Sequence, residues 1–161
     1  MNKVLSTEQA AGISKKLHQQ GKQIVLAGGC FDLLHIGHIT FLTKAKEQGN
    51  ILILLLESDA TIRNRKGEHR PINTQKDRAT ILAALQVVDY IVLLPSHLSN
   101  EHYDKLVIDI KPAIIATTKG DVHRFHKERQ AKLIDARVVD VTPQVVDQST
   151  TSLVRLLQED L

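Results

Sequence analysis

The sequence predicts a doubly wound α/β domain built around a parallel sheet of five strands. Three observations carry that prediction. Short apolar runs at residues 23–27, 51–56, 90–94, 113–116 and 137–141 are nearly continuous rather than alternating, as strands covered by helices on both faces are. Segments with helical spacing separate them, so strand and helix alternate along the chain. A length of 161 residues, 42% hydrophobic and 24% charged, suits one domain with a real core.

Taken in order, residues 1–21 read as a helix appended to that core. Ser6 with Gln9 three positions on makes a capping box, and Gly21 is a stop. The first strand, 23–27, leaves through Gly28 and Gly29 into a helix over 37–48, where Ile39, Leu42 and Ala45 share a face. Gly49-Asn50 ends that helix before strand 51–56. Ala79, Leu82 and Leu85 give one face to a helix over 74–86, and 98–110 and 125–134 are further helices. Lys111-Pro112 marks entry to strand 113–116, and 149–158 reads as a last helix. No repeat, low-complexity segment or linker interrupts the chain, so 1–161 is expected to be one domain.

Composition removes several function classes. Lys and Arg exceed Asp and Glu by 21 to 18, a net charge of +3, too weak a bias for a duplex-binding domain. The aromatics are Phe31, Phe41, Phe125, Tyr90 and Tyr103, with no Trp, too sparse for a stacking platform on single strands. Cys30 is the sole cysteine, which excludes an internal disulfide and a cysteine-based zinc site. The first twenty residues are polar with no apolar h-region, and no apolar stretch approaches the ~18 residues of a membrane span. The expected location is the cytoplasm, with no membrane and no nucleic acid among the partners.

The most informative stretch is Gly28-Gly29-Cys30-Phe31-Asp32-Leu33-Leu34-His35-Ile36-Gly37-His38. In open α/β sheets, ligands bind beyond the carboxyl ends of the strands. Glycines let backbone N–H groups approach an anion, and the following helix adds its positive end. His35 and His38 then stand where a phosphate would sit. Plain surface polarity is the competing explanation for such a pair. A metal pair is disfavoured, because helical ligands are usually i, i+4 and no carboxylate or thiol is spaced to complete a set. Strand, glycine pair and helix start coincide here, which favours phosphate.

At these residues the chain resembles the cytidylyltransferase-like nucleotidyltransferases, whose pattern is Gly-Cys-Phe-Asp-x-Leu-His-x-Gly-His. They share a Rossmann-like fold and the HxGH motif with class I aminoacyl-tRNA synthetases. The likeness continues through Ser58-Asp59-Ala60, residues 63–73, Asp77-Arg78, residues 83–90, Lys111-Pro112 and Ser149-Thr150-Thr151. Within the family it is greatest to the adenylyltransferases of bacterial ADP-heptose synthesis, and smaller to glycerol-3-phosphate cytidylyltransferase and archaeal FAD synthetase.

The resemblance implies transfer of a nucleoside monophosphate, AMP from ATP above all, to a sugar phosphate such as heptose 1-phosphate, with release of pyrophosphate. His35, His38 and Lys66 would be catalytic. Gly29, Cys30, Phe31, Asp32, Arg78, Lys119, Gly120, Ser149, Thr150 and Thr151 would bind the nucleotide, with Asp32 fixing the loop or binding substrate. Arg63 and Arg65 would bind the acceptor. Against these stand a solvated charged loop at 63–67, a helix-surface ion pair for Arg78 and plain N-capping at Ser149. Arg155, i+4 from Thr151, could face the same cavity. Cys30 is not read as a nucleophile, since no covalent intermediate is required and Cys commonly serves as a small buried residue. The triphosphate would arrive as its Mg²⁺ complex, which needs few protein ligands. A homodimer is also implied.

The pattern departs after the fourth strand. The heptose enzymes usually carry Lys-Gly-Gly-Asp-Tyr there, whereas this chain has Thr118-Lys119-Gly120-Asp121-Val122. The basic run His123-Arg124-Phe125-His126-Lys127 that follows reads as a solvated helix face in preference to a second phosphate site, with a metal site from Asp121, His123 and His126 as a third reading. The rival functions are a CTP-dependent enzyme for a polyol phosphate or phosphonate and a non-catalytic nucleotide sensor. RNA binding is disfavoured by the weak charge.

Overall fold

The computed structural model describes residues 2–143. Its elements run β1 (Val4–Leu5), α1 (Thr7–Gln19), β2 (Ile24–Gly29), α2 (Ile36–Lys46), β3 (Ile51–Leu56), α3 (Asp59–Lys66), α4 (Gln75–Ala83), β4 (Tyr90–Leu93), α5 (Asn100–Ile110), β5 (Ile114–Thr118), α6 (Arg124–Ile134) and β6 (Arg137–Thr142). All strand pairs are parallel, in the order β1-β4-β3-β2-β5-β6.

Continuous apolar strands are explained by burial on both faces. Val25, Ala27, Leu52, Leu54 and Ile91 pack with Leu42 and Ala45 of α2 and Ala79 and Leu82 of α4. The alternate residues Ile24, Leu26, Ile53, Leu55 and Val92 pack on the opposite side with Ala10 and Leu17 of α1, Leu106 and Ile110 of α5, and Ala131 of α6. Since successive side chains of a strand point to opposite faces, both sets must be apolar. The doubly wound parallel sheet is therefore as expected from sequence. The chain steps from β2 through β3 to β4, then crosses back to lay β5 on the other side of β2. The switch point thus falls between the carboxyl ends of β2 and β5, where such sheets bind ligands.

Four expectations are corrected. The sheet has six strands among the described residues, not five. The extra one, β1, is a two-residue edge strand pairing Val4 with Ile91 and Leu5 with Val92, too short to give a periodic signal. Residues 2–21 therefore belong to the sheet and its covering layer rather than being appended, although the Ser6–Gln9 capping box is present. Residues 63–66, read as loop, are the last turn of α3, capped by the Ser58 hydroxyl and ended by Gly67 at φ 99°. That helix buries only Ile62, so no apolar stripe announced it. The helix expected over 74–86 ends at Ala83. The segment 149–158 lies outside the described residues.

The loops at the carboxyl edge are stapled by buried polar groups. Asp32, 2% exposed, accepts from Arg70 Nε at 2.7 Å, from Ile72 N at 2.9 Å and from Asn73 N at 3.0 Å. Asn73 Nδ2 donates back to Asp32 O at 3.1 Å. Burial alone would raise the Asp32 pKa; the N–H donors of Asn73 and Ile72 and the Arg70 guanidinium reverse this and hold it below the usual carboxylate value. Gln75 Nε2 donates to Leu56 O and Leu94 O, both at 2.9 Å, joining the ends of β3 and β4.

Two outcomes are expected. A Cβ at Gly49 would stand 2.8 Å from Val25 Cγ2 and 3.0 Å from the Gln23 carbonyl, so Gly49→Ala should lower stability by about 1–3 kcal/mol in urea denaturation. Because the Asp32 pKa is depressed by folding, its contribution is complete above the unfolded value of about 4 and is lost as pH falls through the lower folded value. Asp32→Ala should cost about 3–5 kcal/mol near neutrality, since it leaves Arg70 buried and unpaired. Its stability should also depend less on pH below about 4 than the parent's, by the same titration.

Candidate active site

The crevice begins where β2 hands over to α2. A Cβ at Gly29 would stand 3.0 Å from the Phe31 ring, which would have to shift by a few tenths of an ångström to admit it. Phe31 itself is buried, at φ 45°. The turn places His35 at the N-cap of α2 and His38 at its third residue. Their rings lie 3.8 Å apart between centroids, and Phe31 lies 5.4 Å from His38.

Protonation follows from this packing. Burial, then the neighbouring His35 and the Lys66 charge, depress the His38 pKa to about 4. Burial also lowers that of His35. Both imidazoles are therefore neutral near physiological pH. The His35 backbone N–H points at His38 Nδ1 at 3.4 Å, a long contact that nonetheless makes Nδ1 the acceptor and leaves the proton on Nε2. His35 Nδ1 is buried without a hydrogen-bond partner among the described residues.

Cations stand opposite. Arg63, Arg65 and Lys66 are exposed on the last turn of α3. Lys66 acts on both His38 and Cys30, and Arg65 on Cys30, so these two are brought to the glycine turn. Arg63 stands exposed, without a recorded effect on that turn. The Cys30 thiol is raised, by burial first, with Lys66 lowering and Glu57 raising it. It stays protonated near neutrality, unsuited to nucleophilic attack.

Arg78 is fully buried and not a surface residue. Its Nη1 donates to Cys30 O, its Nη2 to Glu57 O and Asp59 Oδ1 at 2.8 Å, and its Nε to Asn73 O at 3.1 Å. The ion pair with Asp59 exists, but as part of a staple across three loops. Asp32, by its bonds to Arg70, Ile72 and Asn73, likewise has its carboxylate turned to the loop it fixes.

Lys119 and Gly120 form the turn after β5, with Gly120 at φ 82° and Lys119 exposed. They follow β5, the strand that borders the switch point opposite β2. The basic run beyond is largely neutralised: Lys127 pairs with Asp121, and Arg124 with Glu128 and Asp140. Burial raises the Asp121 pKa, but bonds from Lys127, His123 N and Thr117 bring it down to about 2. Asp121 is thereby engaged, and the described residues hold no group of three or more His, Cys, Asp or Glu side chains placed for a metal ion. Ser149, Thr150, Thr151 and Arg155 lie outside the described residues.

Sequence reasoning missed Glu57 and Tyr103. Glu57 could have been found, as a carboxylate closing an apolar strand beside Ser58-Asp59. Tyr103 carried no local signal, being a half-buried residue of α5 whose partner lies 46 positions away.

The comparisons agree with this architecture. The chain is 40% identical over 152 residues to the bifunctional protein HldE of Nitratiruptor sp., covering 94% of this chain and 31% of that protein. It is 48% identical over 110 residues to the bifunctional protein HldE of Campylobacter curvus, covering 68% of this chain and 23% of that one. The chain thus spans a third or less of the length of these curated relatives. The crystal structure of a lipopolysaccharide core biosynthesis protein from Thermoplasma volcanium superposes with a TM-score of 0.66 at 30% identity, covering 77% of this chain and 99% of that one. Pantoate-beta-alanine ligase from Francisella tularensis, at 16% identity and a TM-score of 0.63 over 92% of this chain and 68% of that one, shares the fold. No helix among the described residues is long and apolar enough to cross a membrane. The cytidylyltransferase-like family model matches residues 26–155, and the chain belongs to that family.

Proposed function

We propose that this chain is a nucleotidyltransferase that transfers AMP from ATP to a sugar phosphate, heptose 1-phosphate foremost, and releases pyrophosphate. The observation that carries this is the stacked, neutral pair His35–His38 facing Lys66 at the switch point. Family membership supports the reaction class. The acceptor rests on the likeness to adenylyltransferases of ADP-heptose synthesis and on a structural neighbour of lipopolysaccharide core biosynthesis.

In this reading an oxygen of the acceptor's phosphate attacks the α-phosphorus of the nucleotide. The new P–O bond forms as the bond to the α,β-bridging oxygen breaks, and that oxygen leaves with both electrons as pyrophosphate. A phosphate monoester is mostly dianionic near neutrality, its second pKa being about 6, so no side chain need remove a proton. Catalysis reduces to holding two anions in line and stabilising charge on the transferring group. His38 Nε2–H donates to an α-phosphate oxygen, and His35 completes the donor pair. Lys66 neutralises the leaving phosphates, and Arg63 and Arg65 take the acceptor's phosphate. The triphosphate would enter as its Mg²⁺ complex, and the metal would supply further neutralisation of the phosphates.

Neutral imidazoles suit this role. They donate a directed hydrogen bond without burying a second full charge beside Lys66, whose field already opposes protonation. Backbone amides of the 29–32 turn and of α2 add donors toward the phosphates.

The direct test is pyrophosphate release from ATP, CTP, GTP and UTP against a panel of sugar and polyol phosphates. ATP with a heptose 1-phosphate should give the highest kcat/KM. Preference for CTP with a polyol phosphate would move the assignment to the other branch of the family, and nucleotide binding without pyrophosphate from any acceptor would make the chain a sensor. His38→Ala should lower kcat by ~10²–10³ while the unfolding midpoint is retained. Because His38 titrates at about 4, it should add no inflection between neutrality and its own low pKa. The rate should instead fall below about pH 6 as the acceptor phosphate takes up its second proton, and that limb should persist in His38→Ala.

A further inference from the structure

Glu57 follows the last residue of β3 and is 9% exposed. Its backbone is fixed from both sides: its N–H donates to Gly29 O at 3.2 Å and its carbonyl accepts from Arg78 Nη2 at 2.8 Å. The direction of its side chain is therefore set by the glycine turn itself. Tyr103 of α5 donates its hydroxyl to this carboxylate, 2.8 Å from Oε2 and 3.0 Å from Oε1. Arg65 Nη1 approaches Oε1 at 3.4 Å, with the arginine side chain 47% exposed and that of Glu57 11% exposed.

A buried carboxylate at the edge of a site for anions is an odd choice unless it acts on a cation. Arg63, Arg65 and Lys66 lie within one turn of α3 and repel one another, and an unanchored arginine would spread over many rotamers. The Glu57 carboxylate gives Arg65 one fixed, long and exposed contact, so the guanidinium is steered yet keeps donors for a ligand. Tyr103 holds the carboxylate on the α5 side, away from incoming phosphates. Burial and the Glu57 charge push the Tyr103 phenol well above its ordinary pKa, so it remains a donor.

We propose that Glu57 and Tyr103 are positioning residues that set Arg65 for the acceptor's phosphate; this rests on the transfer reading above. Arg65 swings from Glu57 onto the phosphate as the acceptor binds, and Tyr103 keeps the vacated carboxylate hydrogen-bonded. The pair thus tunes acceptor binding without touching the reacting atoms.

The test is steady-state kinetics with ATP and a heptose 1-phosphate on the parent, Tyr103→Phe, Glu57→Gln, Arg65→Ala and the Tyr103→Phe/Arg65→Ala double variant, each checked by thermal unfolding. Tyr103→Phe and Glu57→Gln should each raise the acceptor KM on the order of tenfold, with kcat and the ATP KM within about twofold. Arg65→Ala should raise the acceptor KM at least as much, and adding Tyr103→Phe to it should change little, since the two would act through one contact. Full multiplication of the two effects, or loss of thermal stability with an unchanged acceptor KM in both Tyr103→Phe and Glu57→Gln, would overturn the positioning role. If the parent releases pyrophosphate with no phosphorylated acceptor in the panel, the transfer reading falls and this pairing with it. If the parent turns over and neither single variant moves the acceptor KM, only the pairing falls.

Discussion

The fully buried guanidinium of Arg78 is the constraint on which the site depends. A cation without solvent must be met by acceptors, and here they are the main-chain carbonyls of Cys30, Glu57 and Asn73 with the Asp59 carboxylate. Those groups belong to the turn after β2, the end of β3 with the start of α3, and the entry to α4. None can drift without leaving buried charge or carbonyl unpaired, at a cost of several kcal/mol. Asp32 repeats the logic at the other side, binding Arg70 and the Ile72 and Asn73 amides. Loops that would otherwise be the soft part of a doubly wound fold thus become a rigid frame. The histidines and the α3 cations stand on that frame, and positioning is what a reaction without a general base requires.

The same frame accounts for the electrostatics. Arg78 spends its charge on the protein, while Lys66 and Arg65 stand exposed on α3, Arg65 with one long contact to Glu57. The imidazoles between them are kept neutral by burial and by Lys66. The result is a graded site: neutral directed donors beside the turn, and mobile full charges at the rim. That order suits a triphosphate, whose α-phosphate needs geometry and whose terminal phosphates need charge. It also keeps the free protein from concentrating several unpaired cations in a dry cavity, a costly arrangement.

Much of this was legible in the sequence for identifiable reasons. Strands β2 to β5 could be read because two-faced burial leaves nearly unbroken apolar runs such as Ile51–Leu56. The His35–His38 pair could be read because a strand end, glycines and a helix start fall together over a few residues. What escaped depends on partners distant in sequence or on signals too short to be periodic. Val4–Leu5 is a strand only because β4 lies beside it. Helix α3 buries one side chain and owes its form to the Ser58 cap and Gly67. Asp32 and Arg78 were recognisable as residues of interest, but their partners, up to 48 positions away, were not.

The turns after β2 and β3 and the turn after β5 are held by different sets of bonds. The turns after β2 and β3 carry His35, His38, Arg65 and Lys66, and they are locked together by Arg78. The turn after β5, where the residues depart from the heptose-enzyme pattern, is locked independently: Asp121 binds Lys127, Thr117 and the His123 amide, and Lys119 N bonds Thr142 O of β6. In the proposed reaction, substitutions at 118–122 would therefore bear on what enters beside β5, while the bonds of Arg78 that lock the turns after β2 and β3 stay in place.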